Sequence, residues 1–315
     1  MSEPFKRVSI IIPTLGRGEV VLQTIAQLRA QTAPPAEILI VDQTEDHPEH
    51  ALQGLDEANR LGHIRWIRMS PPSQPAALNR GVLEARSELL LFLDDDIRID
   101  TDFVAAHLRA HQKGDIDAVV GQVLQPGEVP LKGPIARTLS GPFADLEFPF
   151  RSAEPALINN GMSGNLSVPR SLALRLGGFD ERFTAPVSYR FDTDFCKRIV
   201  ASGGKVAFEP SARIDHLRAP RGGTRSRGSH MTSASPIHGV GDYYFALKQG
   251  LSWTTLRYML RRPVREVATR FHLTHPWWIP VKLFGELRAL VQALGQSRQG
   301  PQYLSAESRN RAAPR

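Results

Sequence analysis

Three consecutive carboxylates, Asp94, Asp95 and Asp96, follow directly on four leucines and a phenylalanine in the stretch LLLFLDDDIR, Leu89 to Arg98. Like charges packed this closely cost free energy unless a cation or solvent compensates them. Hard carboxylate oxygens suit Mg2+ or Mn2+, ions that keep bonds to water and to substrate phosphates. The pattern therefore points to a divalent metal that bridges the phosphates of a substrate. Farther along lie Asp192 and Asp194 in FDTDFCKR, a lone His216 after a strand-like run, and a Gly/Ser/Arg stretch from Arg218 to Ser235. The single cysteine, Cys196, excludes an internal disulfide framework and a thiolate zinc cluster within one chain.

These residues need elements to position them. Leu89 to Leu93 is short and wholly apolar, as a buried central strand is. In open α/β sheets, ligands bind beyond the carboxyl ends of the strands, which is where the aspartates fall. Val8 to Ile12 predicts the first strand, closed by Pro13 and a glycine-containing turn, and residues 19–31 the first helix, stopped by Pro34-Pro35. Glu37 to Asp42 predicts a second strand that again ends in a carboxylate. Helices over 48–60, 75–86 and 101–112 and strands over 63–68 and 118–123 continue the alternation. The fold class is α/β, a mostly parallel sheet sandwiched by helices. Residues 125–155 are rich in Pro and Gly and read as a long excursion; a strand at KVAFEP then leads to His216.

Beyond Ile237 the chain turns helical. In 280–294, Leu283, Phe284, Leu287, Leu290, Val291 and Leu294 recur at helical spacing, with Lys282, Glu286 and Gln292 mainly on the other side. Paired Trp277-Trp278 and upstream arginines fit an interfacial membrane helix as well as an appendage packed on the catalytic body. Residues 299–315 read as a disordered basic tail. The domain expectation is a catalytic unit over 1–240 (nucleotide half about 1–124, acceptor half about 125–240) and a helical appendage over 241–298.

Charge is uneven. Residues 1–217 carry 23 Lys/Arg against 28 Asp/Glu, and residues 218–315 carry 16 against 4. A basic C-terminal part calls for an anionic partner, here phosphorylated substrate or an anionic membrane surface rather than nucleic acid. The N-terminus lacks the apolar core of a signal peptide, and no run of about 18 apolar residues would span a bilayer. The expected location is cytoplasmic, or peripheral on the cytoplasmic face of the membrane; a homo-oligomer is left open.

The ordered motifs VSIIIPTLGR (8–17), ILIVDQTED (38–46), PAALNRGVLEA (75–85), LLFLDDDI (90–97), GNLSVPR (164–170), GGFDERF (177–183), FDTDFCKR (191–198) and His216 resemble the family 2 glycosyltransferases of GT-A fold, over roughly residues 7–217. The resemblance implies transfer, with inversion, of a sugar from a nucleotide-diphosphate donor, UDP first and GDP or dTDP open, to a saccharide or lipid-linked saccharide. It implies Asp96, Asp94 and His216 as metal ligands and Asp192 as general base, with Asp194 as the alternative. It implies that Asp42 meets the nucleobase, with Pro13 and Thr14 lining the same pocket, and that Arg17, Asn79, Asp94, Asp95, Gly164, Asn165 and Arg225 complete the donor side. Two positions depart from the pattern: Leu78 stands where an Arg commonly precedes the Asn, and Phe191 where a Glu commonly precedes the base. A non-catalytic binding module and a sugar-phosphate nucleotidyltransferase are the competing classes; the turn PTLGRG lacks the longer glycine-rich loop of the latter.

Overall fold

The computed structural model describes residues 5, 7–183, 189–219, 221–223 and 230–312. Nine strands form one sheet: β1 (Val8–Thr14), β2 (Glu37–Asp42), β3 (Arg65–Arg68), β4 (Leu89–Leu93), β5 (Ile97–Ile99), β6 (Ala118–Leu124), β7 (Ala156–Ile158), β8 (Asn165–Pro169) and β9 (Val206–His216). Their order is β3-β2-β1-β4-β8-β6-β9-β5, with β7 paired to β9. The strands β3-β2-β1-β4 are parallel, as expected. The rest of the sheet is mixed: β8 runs antiparallel between β4 and β6, while β6 and β9 are parallel. An antiparallel strand at that place follows from the irregular excursion over 125–155, which brings the chain back without a crossover helix.

Eleven helices cover the described residues: α1 (Gly18–Arg29), α2 (Glu49–Arg60), α3 (Gln74–Glu84), α4 (Phe103–Gln112), α5 (Arg170–Arg175), α6 (Phe191–Ala201), α7 (Val240–Lys248), α8 (Trp253–Val267), α9 (Arg270–Thr274), α10 (Ile279–Arg298) and α11 (Ala306–Ala312). Every residue of β4 is buried, which explains its uninterrupted Leu/Phe composition. Each such side chain contributes about 1.5–3 kcal/mol of burial free energy. Helices pack on both faces of the sheet. One apolar cluster unites Ile11, Phe92 and Leu166 with Phe179, Phe195, Tyr243, Tyr244 and Phe245. Helix α7 thus shares the core of the body, and Ala289 and Ala293 of α10 join the same cluster.

After the aspartates Ile97–Ile99 forms β5 against β9, with Ile97 opposite His216. One expectation is corrected: residues 299–312 are not a disordered tail. Gln302 accepts the Glu181 N–H, Leu304 donates its N–H to Gly177, and Tyr303 lies against the Arg198 guanidinium. Polar composition hides these anchors, which are backbone bonds to Gly177 and Glu181 and a cation–π contact with Arg198.

Helix α10 is inverted relative to an ordinary surface helix. It buries Lys282, Gly285, Glu286, Ala289 and Ala293, and exposes Leu283, Phe284, Leu287, Val291 and Leu294. The periodicity was visible in sequence; the direction of its faces was not.

Candidate active site

The site lies at the carboxyl edge of the parallel strands. Thr14 ends β1 in register with Asp42 of β2, and Leu93 of β4 stands opposite Asn165 of β8. The three aspartates that follow β4 then take separate directions.

Asp95 turns inward. Its carboxylate accepts the Thr14 hydroxyl at 2.7 Å and the Arg17 guanidinium at 2.8 Å, and its carbonyl accepts Thr24. Burial pushes the Asp95 carboxyl up to about 6, with Arg17 and Thr14 pulling against it. Asp95 ties the turn to α1, and Thr14 and Arg17 are committed to that tie. Arg17 also donates to the Arg221 carbonyl, so the segment after β9 rests on the β1–α1 turn.

Asp96 and Asp94 turn to His216. Asp96 accepts the Ala219 N–H on Oδ2 at 2.8 Å, while its Oδ1 is buried without a hydrogen bond, 3.1 Å from His216 Nε2 and 3.2 Å from Arg17 Nη1. His216 Nδ1 is held by Gln125 Oε1 at 3.1 Å, which fixes the ring and leaves Nε2 facing the carboxylates. Asp94 Oδ2 lies 3.7 Å from the same nitrogen. One ligand atom from each of Asp94, Asp96 and His216 falls within 4.8 Å of the others. An imidazole nitrogen and an orphaned carboxylate oxygen face each other here, an arrangement that needs a proton or a metal ion between them. Two carboxylates and one imidazole are a donor set that suits Mn2+ or Mg2+.

Asp192 opens α6. Its carboxylate accepts the N–H groups of Thr193 at 2.8 Å and Ser163 at 3.3 Å, and burial pushes its carboxyl above the ordinary range. The next residue in that loop, Gly164, accepts the Asp94 N–H at 3.2 Å. A Cβ on Gly164 would lie 2.3 Å from Asp94 Oδ2, so only glycine permits this approach. Ser163 and Gly164 therefore join Asp192 to Asp94 through adjacent residues. Arg190, the residue preceding α6, has φ of +71°, a costly backbone state for a side-chain-bearing residue. Its guanidinium is held by Asp242 at 2.9 Å. Asp194 is spent on Arg198 at 3.0 Å and Lys248 at 2.7 Å, which removes it as the alternative base.

Other expected donor contacts are differently employed. Asp42 is fully buried: it accepts the Thr44 N–H and the Trp66 indole, and His47 Nε2 lies 2.6 Å from Oδ2. Asn79 bridges the backbone N–H and carbonyl of Phe179 and also reaches Glu181. Asn165 is held by His107 and donates to the carbonyls of Gln122 and Ala212. Both amides clamp the fold from inside and are not turned to the donor edge. Pro13 is partly exposed at the end of β1. Arg225 and Arg227 lie outside the described residues. Gln125, Arg190 and Asp242 were not singled out from sequence; no local motif marks them, and their partners are 52 to 91 positions away.

The family model "Glycosyl transferase family 2" matches residues 9–166, half of the chain. The chain belongs to glycosyl transferase family 2. Among curated relatives of this family 2 chain, the O-antigen biosynthesis protein RfbC of Myxococcus xanthus is 30% identical over 228 residues. That match takes in 67% of this chain and 17% of the relative, so the chain spans about one sixth of that protein's length. Among solved structures, a mannosyltransferase from Pyrobaculum calidifontis in complex with GDP-Man and Mn2+ superposes with a TM-score of 0.54 at 16% identity, over 94% of this chain and 81% of that one. GalNAc-T7 with UDP, GalNAc and Mn2+ gives 0.56 at 16% identity, over 81% and 54%. At this identity the likeness is one of fold, the GT-A fold with added C-terminal helices.

Proposed function

We propose that this family 2 chain is an inverting, divalent-metal-dependent glycosyltransferase. It takes a sugar from a nucleotide-diphosphate donor and places it on a hydroxyl of a saccharide or lipid-linked saccharide. The observation that carries the reading is the junction at Ser163-Gly164, where one loop contacts both Asp192 and Asp94, a member of the Asp94/Asp96/His216 cluster. Mn2+ in both solved neighbours supports the metal, and the O-antigen relative supports a saccharide acceptor.

Asp94, Asp96 and His216 would hold the ion, which when bound neutralises the diphosphate and eases its departure. Asp192, the best-placed carboxylate, accepts the proton of the acceptor hydroxyl as that oxygen attacks the anomeric carbon from the face opposite the diphosphate. Its raised proton affinity suits it to that task, because a buried carboxylate is a stronger base than a solvated one. Phe191, where a Glu is common, packs on Phe179 and leaves Asp192 as the acidic group at the start of α6 together with the ion-paired Asp194. UDP is the first nucleotide to test. Because the neighbours carry GDP-Man and UDP, GDP-sugars form the second arm.

The test is transfer from a panel of UDP-, GDP- and dTDP-hexoses with Mn2+, the product's anomeric configuration being read by NMR. The reading predicts inversion and loss of transfer in Asp192→Asn. Retention of configuration, or undiminished transfer by that variant, would refute it.

A further inference from the structure

Helices α8 and α10 bury an ion-pair network and expose most of their large apolar side chains. At the seam between α8 and α10, Arg262 donates to Glu286 at 2.9 Å and to Asp242, and Lys282 lies 3.2 Å from Glu286 and 3.3 Å from Glu266. Tyr258 donates to Asp242 at 2.9 Å. This network takes up the polar faces of both helices. The opposite faces are left to solvent: Trp253, Leu260, Val264, Phe284, Leu287 and Val291 are each 56–75% exposed. Rows of exposed large apolar side chains on neighbouring helices mark an interaction surface.

We infer that the outward faces of α8 and α10 dock on an anionic lipid bilayer. Charge complementarity selects this occupant. Arg257, Arg261 and Arg265 are exposed on α8 beside the Trp253–Leu260–Val264 stripe, and Arg288 is exposed on α10 beside Leu287. Apolar side chains flanked by arginines on an exposed helix face match the acyl and headgroup layers of an anionic membrane. A second copy of the chain would bring the same arginines into the interface without acidic partners, because Glu266 and Glu286, the carboxylates of these two helices, are taken up in the internal network. No helix among the described residues is long and apolar enough to cross a membrane, so the contact is interfacial. The inference deepens the proposed function and rests on it in one consequence. The network continues from Arg262 through Asp242 to Arg190, two residues before Asp192, and so ties the docking face to the base that would meet a lipid-linked acceptor.

The test is sedimentation of the full chain with vesicles of phosphatidylcholine alone and of phosphatidylcholine with phosphatidylglycerol, with mass measured by light scattering. The wild type should sediment with anionic vesicles and far less with neutral ones. Arg257→Gln with Arg261→Gln should weaken anionic partitioning by roughly 30-fold at low salt. Phe284→Ser with Leu287→Ser should weaken it by at least about tenfold. These residues are exposed, so the melting temperature checks that both variants fold. Binding unaffected by either pair would overturn the inference, as would a stable dimer that the Phe284/Leu287 variant converts to monomer without the wild type binding vesicles. Metal-dependent donor binding, measured in parallel, should be unchanged in both variants. Its absence from the wild type would count against the transferase reading while leaving the vesicle result to stand or fall separately.

Discussion

His216 Nδ1 donates to Gln125 Oε1 over 3.1 Å, across 91 positions of sequence. Arg218 Nε donates to the same oxygen at 2.8 Å, so the amide carbonyl is fixed from two sides. The bond sets which imidazole nitrogen faces Asp96 and Asp94. Partners of this kind typically contribute 10- to 100-fold to metal affinity. Gln125→Ala should therefore weaken Mn2+ binding by about 10- to 100-fold, measured by calorimetry or by Mn2+ EPR, with the fold intact. Unchanged affinity would show that the ring is held by other means.

Gly164→Ala tests the contact between the loop and Asp94. The new methyl group would sit 2.3 Å from Asp94 Oδ2. Asp94 is partly exposed and can rotate away, so the fold survives, but the carboxylate leaves its place beside His216, where the proposed ion would sit. Metal affinity should fall by at least about tenfold while the melting temperature moves little.

The raised proton affinity of Asp192 has opposite consequences for stability and for activity. Burial favours the neutral carboxyl, so this residue's contribution to stability is complete below the ordinary carboxylate pKa and is lost as pH rises through the folded-state value. Asp192→Asn should melt higher than the wild type at pH 8, and the gap should close towards pH 3. As the proposed base, Asp192 acts in its ionised form. The wild-type rate should climb with pH through a midpoint above the ordinary carboxylate range, and the Asn variant should lose about 10²- to 10⁴-fold. Equal melting curves at pH 8 would contradict the buried-carboxyl account.

Asn79 should behave as a structural residue. Its amide satisfies both backbone groups of Phe179, and Gly178 packs so closely that a Cβ there would lie 2.2 Å from Asn79 Oδ1. Asn79→Ala leaves those groups without partners and should cost about 1–3 kcal/mol in chemical denaturation. Donor affinity should be unchanged. A selective loss of donor binding would return Asn79 to the nucleotide side.

What could be read from the chain before its fold was the chemistry written in local runs. The apolar strand, the aspartates at its end and the alternation of strands and helices are all set by contiguous residues. Division of labour among the three aspartates was not legible, because it depends on Thr14 and Arg17 some 80 positions away. The same holds for Asn79 and Asn165, whose polar atoms are taken up by partners 43 to 102 positions away. In α10 the period announced two faces, but their direction follows from Asp242, Arg262 and Glu266, charges on other helices that draw Lys282 and Glu286 inward. The tail over 299–312 is held by backbone bonds to Gly177 and Glu181, which composition does not record.

The central claim is that Asp94, Asp96 and His216 hold a metal that in turn holds a nucleotide diphosphate. Calorimetric titration of UDP and of GDP into the protein, with Mn2+ and with chelator, tests it most directly. The account predicts binding of one of these nucleotides with Mn2+, its loss with chelator, and its loss in Asp96→Asn. Equal nucleotide binding with and without metal, undiminished in Asp96→Asn, would contradict it.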